Sequence, residues 1–192
     1  RSPVREFFFF LFFFFLTRVK AMEEAMEKSF NENIFISERC VIGDRYTFAL
    51  LGYEMGMIND LEWNLYCSWY EWLTTKYVYS PAGHIYLKVD PQVAYERINK
   101  RKRDEEKQVS LSYITCLHEK HDDWLIAKKN IANNLITVPV LTLDCNKDFE
   151  HNDQEWENLM LQVKNFIYSN DIFSSCLAAN KYNQKGTIYG NY

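Results

Sequence analysis

The stretch Asn33–Tyr46 reads NIFISERCVIGDRY. Ile34, Phe35 and Ile36 form a short apolar run of β-forming residues between Asn33 and Ser37, the pattern of a buried parallel strand. Directly at its C-terminal end stand Glu38-Arg39, and then Asp44-Arg45. In open α/β sheets, ligands bind in the crevice beyond the carboxyl ends of the strands. Two accounts fit these four residues: a ligand-binding cluster at a strand tip, or two ion pairs that cap a strand.

The chain has 192 residues, enough for one domain with a substantial core. With 47% hydrophobic and 17% aromatic residues it belongs with folded rather than disordered chains. A formal net charge of −4 gives no global case for nucleic-acid binding. Five cysteines (Cys40, Cys67, Cys116, Cys145 and Cys176) are scattered without CxxC spacing. They read as reduced thiols of an intracellular protein and not as a zinc site.

Upstream of the strand, Phe7–Leu16 reads FFFFLFFFFL, eight phenylalanines and two leucines. Ten residues are too short for a membrane-spanning helix. They also lack the small-residue cleavage site of a signal peptide. Phe and Leu codons are pyrimidine-rich, so translation through the pyrimidine tract before a splice acceptor would yield this run. Residues 1–15 are therefore expected to be a spurious extension. Helical spacing begins at Leu16 and continues through Val19, Met22 and Met26, with Arg18 on the same helix.

Downstream, Tyr46–Leu51 reads as a short helix, and Gly52–Asn59 as a loop broken by Gly52 and Gly56. Asp60 is the expected cap of a helix over Leu61–Tyr77. Leu65, Trp69, Trp72 and Leu73 make one apolar face, with Trp63, Tyr66 and Tyr70 on the other sides. A helix apolar most of the way round lies between layers or in a subunit seam, and a homodimer seam is preferred.

His84–Val89 is a second strand, followed by Asp90-Pro91 as helix cap and first turn. The helix Pro91–Arg103 ends in Arg97, Lys100, Arg101, Lys102 and Arg103, and Asp104, Glu105 and Glu106 follow. Cations favour the last turn of a helix, which accounts for one or two of the five. Guanidinium forks that bind phosphoryl oxygens bidentately account for more. A solvated charge run is the alternative.

Ser110 caps a helix expected over Leu111–Ile131, with Ile114, Leu117, His121, Trp124 and Leu125 inward. His121 reads as a core histidine, and the His118/His121 spacing lacks a third ligand for a metal. Val138–Leu143 is a third strand, ending in the polar loop Asp144–Phe149. Asp153 is the expected cap of a last, amphipathic helix. From Ser169 to Tyr192 the periodicity is lost, and residues 169–192 read as a loose tail.

Four stretches in this order and with these gaps resemble the deoxynucleoside kinases, nearest to the vertebrate deoxycytidine and deoxyguanosine kinases. They are ERCVIGDRY (Glu38–Tyr46), EWNLYCSWYEWL (Glu62–Leu73), the basic–acidic stretch Arg97–Glu106 and the loop Asp144–Phe149. The resemblance runs from Leu16 to Tyr168 and sets residues 16–168 as a partial kinase domain. It implies an α/β fold: a P-loop kinase-like parallel sheet with flanking helices, missing the N-terminal phosphate-loop strand.

It also implies transfer of the ATP γ-phosphoryl group to the 5′-hydroxyl of a deoxynucleoside, with Mg2+ carried by the nucleotide. Glu38 matches the acid of the family's Glu-Arg-Ser motif, near the metal and nucleophile, with Cys40 in place of the serine. Arg39 matches the arginine at the 5′-hydroxyl. Asp44 and Arg18 match the pair that reads the base, and Phe48 an aromatic that packs on it. Arg97, Arg101 and Arg103 match lid arginines over the ATP phosphates, and Glu106 the acceptor of the sugar 3′-hydroxyl. Lys147, Asp148 and Phe149 match the loop around adenine. Retention of Arg18 and Asp44 looks like the cytidine/purine branch, since thymidine-accepting relatives differ there. Deoxynucleoside, ATP and a second copy through Leu61–Tyr77 are the implied partners, with neither nucleic acid nor membrane among them.

The departures are specific. No GxxxxGK[ST] stretch occurs in the 192 residues. The family's general-base glutamate is also missing, and its glutamine falls inside the phenylalanine run. Two expectations follow: a kinase whose first third is missing from this sequence, or a non-catalytic dimerising product. A sugar-phosphate or guanylate-type kinase comes third, without markers of its own.

Overall fold

A computed structural model describes residues 3–28, 36–38, 40–78 and 80–169, with side chains in the first helix described from Phe7 to Ala25. The described chain divides into two compact units, residues 3–80 with 91–136, and residues 81–90 with 137–169. The architecture is mixed α/β with a parallel sheet, the class the sequence implies.

The larger unit is helical. Helix α1 (Pro3–Lys28) is continuous through the phenylalanine run, so the helix starts well before Leu16. Phe8, Phe15 and Val19 lie at helical spacing and are buried, while Phe9, Phe10, Phe13 and Phe14 are exposed. Next come α2 (Val41–Asp44), a π turn over Arg45–Ala49 and α3 (Leu50–Glu54), which form one helical stretch. Gly52 is inside α3 and not in a loop. A Cβ there would come within 2.7 Å of the Phe7 ring, so the close approach of α1 and α3 needs glycine. The turn falls at Gly56 instead, at φ 71°.

Helix α4 (Asp60–Tyr77) is capped by Asn59, not Asp60. Asn59 Oδ1 accepts from Glu62 N, and Glu62 Oε2 accepts from Asn59 N, each at 3.0 Å. Its buried residues are Tyr66 and Leu73, which join Phe8, Phe15, Val19, Val41, Ala49 and Ile58 in one core. Phe15 and Tyr66 rings lie 5.2 Å apart. The expected apolar face splits: Leu73 goes inward, while Leu61, Leu65, Trp69 and Trp72 remain exposed along one stripe.

Helix α5 (Pro91–Arg101) stops two residues before the expected end, and a 3-10 turn covers Asp104–Glu106. Helix α6 (Leu111–His121) has the expected cap: Ser110 Oγ accepts from Tyr113 N at 3.2 Å. It passes into a second π turn, Asp122–Ile126, and ends there, short of Ile131. A short α7 (Asn133–Ile136) closes this unit.

The smaller unit holds β1 (His84–Lys88) and β2 (Val140–Asp144), paired in parallel from His84↔Val140 to Lys88↔Asp144. Helix α8 (Asp153–Tyr168) lays Leu159 and Val163 on Leu143 and Cys145. Its cap is Asn152, whose Oδ1 accepts from Glu155 N at 3.2 Å, rather than Asp153. At the strand tips Asn146 Oδ1 accepts from Asp90 N at 2.7 Å, and Asn146 Nδ2 donates to Asp144 at 2.7 Å. The expected strand around Ile34 lies largely outside the described residues, and Ile36 and Ser37 are not in a strand.

Candidate active site

Arg18 and Asp44, 26 positions apart, meet as an ion pair: Arg18 Nη1 donates to Asp44 Oδ2. Asp44 is 5% exposed, and a carboxylate so buried needs a charged or hydrogen-bonding partner. Its placement begins at Cys40, the cap of α2, whose Sγ accepts from Gly43 N at 3.2 Å. The cysteine thus does the capping work of a serine. Burial raises its thiol pKa against the pull of the Gly43 N–H, which keeps the thiol protonated.

After Asp44 the backbone widens into the π turn, a geometry that re-aims side chains and recurs at functional sites. Thr47 Oγ1 donates to Gly43 O at 2.6 Å within it. A Cβ on Gly43 would lie 3.2 Å from the Trp124 ring, so glycine lets the second π turn press against the first. Tyr46 stacks on Trp124 at 6.2 Å, and its hydroxyl accepts from Ala132 N at 3.1 Å.

Asp44 and Arg45 each have a contact of their own. Successive helical residues point about 100° apart. Asp44 turns to Arg18, and the Arg45 guanidinium lies 4.2 Å above the Trp63 ring, where it draws the Cys67 thiol pKa down against the larger upward push of burial. Trp63 in turn stacks on Tyr53 at 4.8 Å. Glu38 is exposed, and Arg39 lies outside the described residues.

Phe48, in the first π turn, is half-buried, with the His121 ring perpendicular to it at 6.4 Å. His121 Nδ1 donates to Leu117 O at 2.7 Å. The histidine is therefore satisfied locally, as the sequence suggests, but its ring also touches a candidate site residue.

At the end of α5, Arg101 holds Glu106 at two points, Nη2–Oε1 2.6 Å and Nε–Oε2 3.2 Å. Arg103 Nη1 is 3.9 Å from the same carboxylate, and Lys107 pairs with Asp104 at 2.5 Å. Lys102, between the two arginines, sits at φ 54° and turns the chain out of the helix. Arg97 is half-buried one turn earlier on α5. Two expected lid arginines and the expected sugar acceptor are thus brought together.

In the smaller unit, Lys147 Nζ is 2.6 Å from Glu155 Oε1, and that carboxylate raises the lysine's pKa. Asp148 accepts from the backbone N–H groups of His151 and Glu150, which lower its carboxyl pKa. Phe149 packs on the core of that unit. A hollow of about 290 Å³ is bordered by Asp144, Lys147, Glu155 and Asn158. Among the described residues, no three His, Cys, Asp or Glu side chains are grouped to hold a metal. No helix of the described residues is long and apolar enough to cross a membrane.

The family model for deoxynucleoside kinase matches residues 5–168, a span that takes in the phenylalanine run. The chain belongs to the deoxynucleoside kinase family. It is 36% identical to deoxycytidine kinase 2 of Gallus gallus over 175 residues, covering 88% of this chain and 66% of the relative. The mitochondrial deoxyguanosine kinase of Xenopus laevis is 36% identical over 154 residues, covering 78% of this chain and 58% of that one. Human deoxycytidine kinase is 35% identical over 173 residues, covering 86% and 65%. The chain spans two thirds or less of the length of these curated relatives.

Proposed function

We propose that the protein is a kinase of nucleotide salvage that transfers the ATP γ-phosphoryl group to the 5′-hydroxyl of deoxycytidine, deoxyadenosine or deoxyguanosine. The observation that carries this reading is the Arg18–Asp44 pair. Guanidinium donors and carboxylate acceptors together present both hydrogen-bonding senses to a base edge. A base that leaves either one unmatched incurs the cost of a buried unpaired group.

In this reading Phe48 packs on the base, Glu106 accepts from the sugar 3′-hydroxyl, and Glu38 and Arg39 hold the 5′-hydroxyl region. Arg97, Arg101 and Arg103 bind the phosphates, and Lys147, Asp148 and Phe149 the adenine. Arg101 already holds a carboxylate in two-point geometry, which a phosphate can take over. Mg2+ is commonly bound by one or two carboxylates together with phosphate oxygens and water. An exposed Glu38 fits an ion that arrives on the nucleotide. When bound, it supplies charge that offsets what develops on the phosphoryl oxygens. The exposed stripe Leu61, Leu65, Trp69 and Trp72 supports a homodimer through α4. The scattered cysteines support an intracellular setting.

A second reading, a non-catalytic dimerising product, is favoured by the lack of a GxxxxGK[ST] stretch in these 192 residues. A phosphorylation assay separates the two. The 192-residue chain is expected to give no ATP-dependent product from the three nucleosides, and a form prefixed with a phosphate-loop segment is expected to give one. Product from the 192 residues alone would overturn the phosphate-loop requirement. No product from the prefixed form would overturn the kinase reading.

A further inference from the structure

We propose that His121 is a positioning residue of the nucleoside site, setting the ring of Phe48 against which the base packs; this rests on the role of Phe48 given above. The imidazole is oriented from its own helix. Nδ1–H donates to Leu117 O at 2.7 Å, one turn back on α6, which fixes the ring plane. The ring then meets Phe48 at right angles, with centroids 6.4 Å apart, an edge-to-face geometry favoured by the aromatic quadrupole.

Phe48 receives this contact from a different helix, α6. It sits in a π turn, whose wider backbone departs from the side-chain directions of an α-helix. It is also half-buried. Trp124 completes the support. Its ring lies 6.5 Å from His121 and stacks on Tyr46, which belongs to the same π turn as Phe48. The end of α6 and the π turn that follows it therefore meet the first π turn through His121–Phe48 and Trp124–Tyr46, and the first of these contacts ends on the expected base platform.

The test is calorimetric titration of deoxycytidine and deoxyguanosine into the full 192-residue chain, since Arg18, Asp44, Phe48 and Glu106 all belong to the larger unit. His121→Ala is expected to weaken binding about 3- to 10-fold, the range of an aromatic pair. His121→Phe, which keeps a ring edge, is expected to stay within about two-fold of the original chain. The deciding readout is non-additivity: His121→Ala is expected to add nothing on a Phe48→Ala background. Equal losses on both backgrounds would show a general structural role and overturn the proposal. Unchanged binding in His121→Ala alongside loss in Phe48→Ala would also overturn it, leaving the role of Phe48 standing. Unchanged binding in Phe48→Ala, or none in the original chain, would overturn the underlying reading and this inference with it.

Discussion

Arg101 grips Glu106 with two nitrogens, Nη2 and Nε, at 2.6 and 3.2 Å from its two carboxylate oxygens. Under the proposed function each exchanges the other for substrate, phosphate for the arginine and a sugar hydroxyl for the glutamate. Arg101 is half-exposed, so the pair contributes at most about 1 kcal/mol to stability. Glu106→Ala is therefore expected to change the melting midpoint little. It should weaken deoxynucleoside binding by about ten-fold or more, the worth of a hydrogen bond to a charged group. A large fall in the melting midpoint with unchanged nucleoside affinity would make the pair structural.

Lys102 joins Arg101 to Arg103 with a left-handed backbone, φ 54°. A side chain in this region costs about 1–2 kcal/mol, part of which glycine gives back as unfolded-state entropy. Lys102→Gly should raise stability by about 0.5–1 kcal/mol, and Lys102→Val should lower it. Denaturant unfolding of both variants measures this.

The phenylalanine run divides by face. Phe15 is fully buried against Tyr66, and Phe15→Ala is expected to cost about 3–5 kcal/mol. Replacing Phe9, Phe10, Phe13 and Phe14 with serine is expected to leave the unfolding midpoint of the monomer nearly unchanged. Equal stability of Phe15→Ala and the original chain would mean that the run contributes nothing to the core, as a spurious extension would.

Tyr66 is 0% exposed, its hydroxyl has no hydrogen-bond partner among the described residues, and burial raises its pKa well above 10. Burial raises Tyr70 as well. Below pH 10 both phenols are protonated in the folded and unfolded chains, and their contribution is constant. Above pH 10 the unfolded chain releases protons that the folded chain retains, so stability falls by about 1.4 kcal/mol per pH unit for each phenol. Tyr66→Phe should flatten this alkaline slope and raise stability near neutrality by about 1 kcal/mol, by removing an unpaired buried hydroxyl. An unchanged alkaline slope in Tyr66→Phe would contradict the assignment.

What the sequence made legible was chemistry tied to motifs. ERCVIGDRY marked Asp44 because acids and bases clustered after an apolar run suggest a ligand site, and the basic–acidic stretch marked Arg101 with Glu106 because five cations at one helix end exceed what the helix dipole asks for. The contact of Asp44 with Arg18 came through resemblance, since no spacing rule links residues 26 apart. Geometry inside the helices was harder. A run of phenylalanine and leucine carries no polar face, so periodicity could not reveal that Phe8 and Phe15 point inward. Asn59 and Asn152 stand beside Asp60 and Asp153, and both residue types cap helices, so the caps were displaced by one position. The π turns leave no signature of their own, which hid the approach of His121 to Phe48 and of Trp124 to Gly43.

The central claim is that the Arg18–Asp44 pair, a half-buried arginine on a buried aspartate, reads a nucleobase. Replacing both members with apolar residues of similar size, Arg18→Met with Asp44→Val, should largely preserve stability, because a buried ion pair is often matched by packing. Each single change, which strands one charge, should be the more destabilising. The direct measurement is calorimetric titration of deoxycytidine into the original chain and the double variant. The account predicts binding to the first and at least about a hundred-fold loss in the folded second, from two lost charged hydrogen bonds. Equal affinity in both would show that the pair only holds the helices together, and would contradict the account.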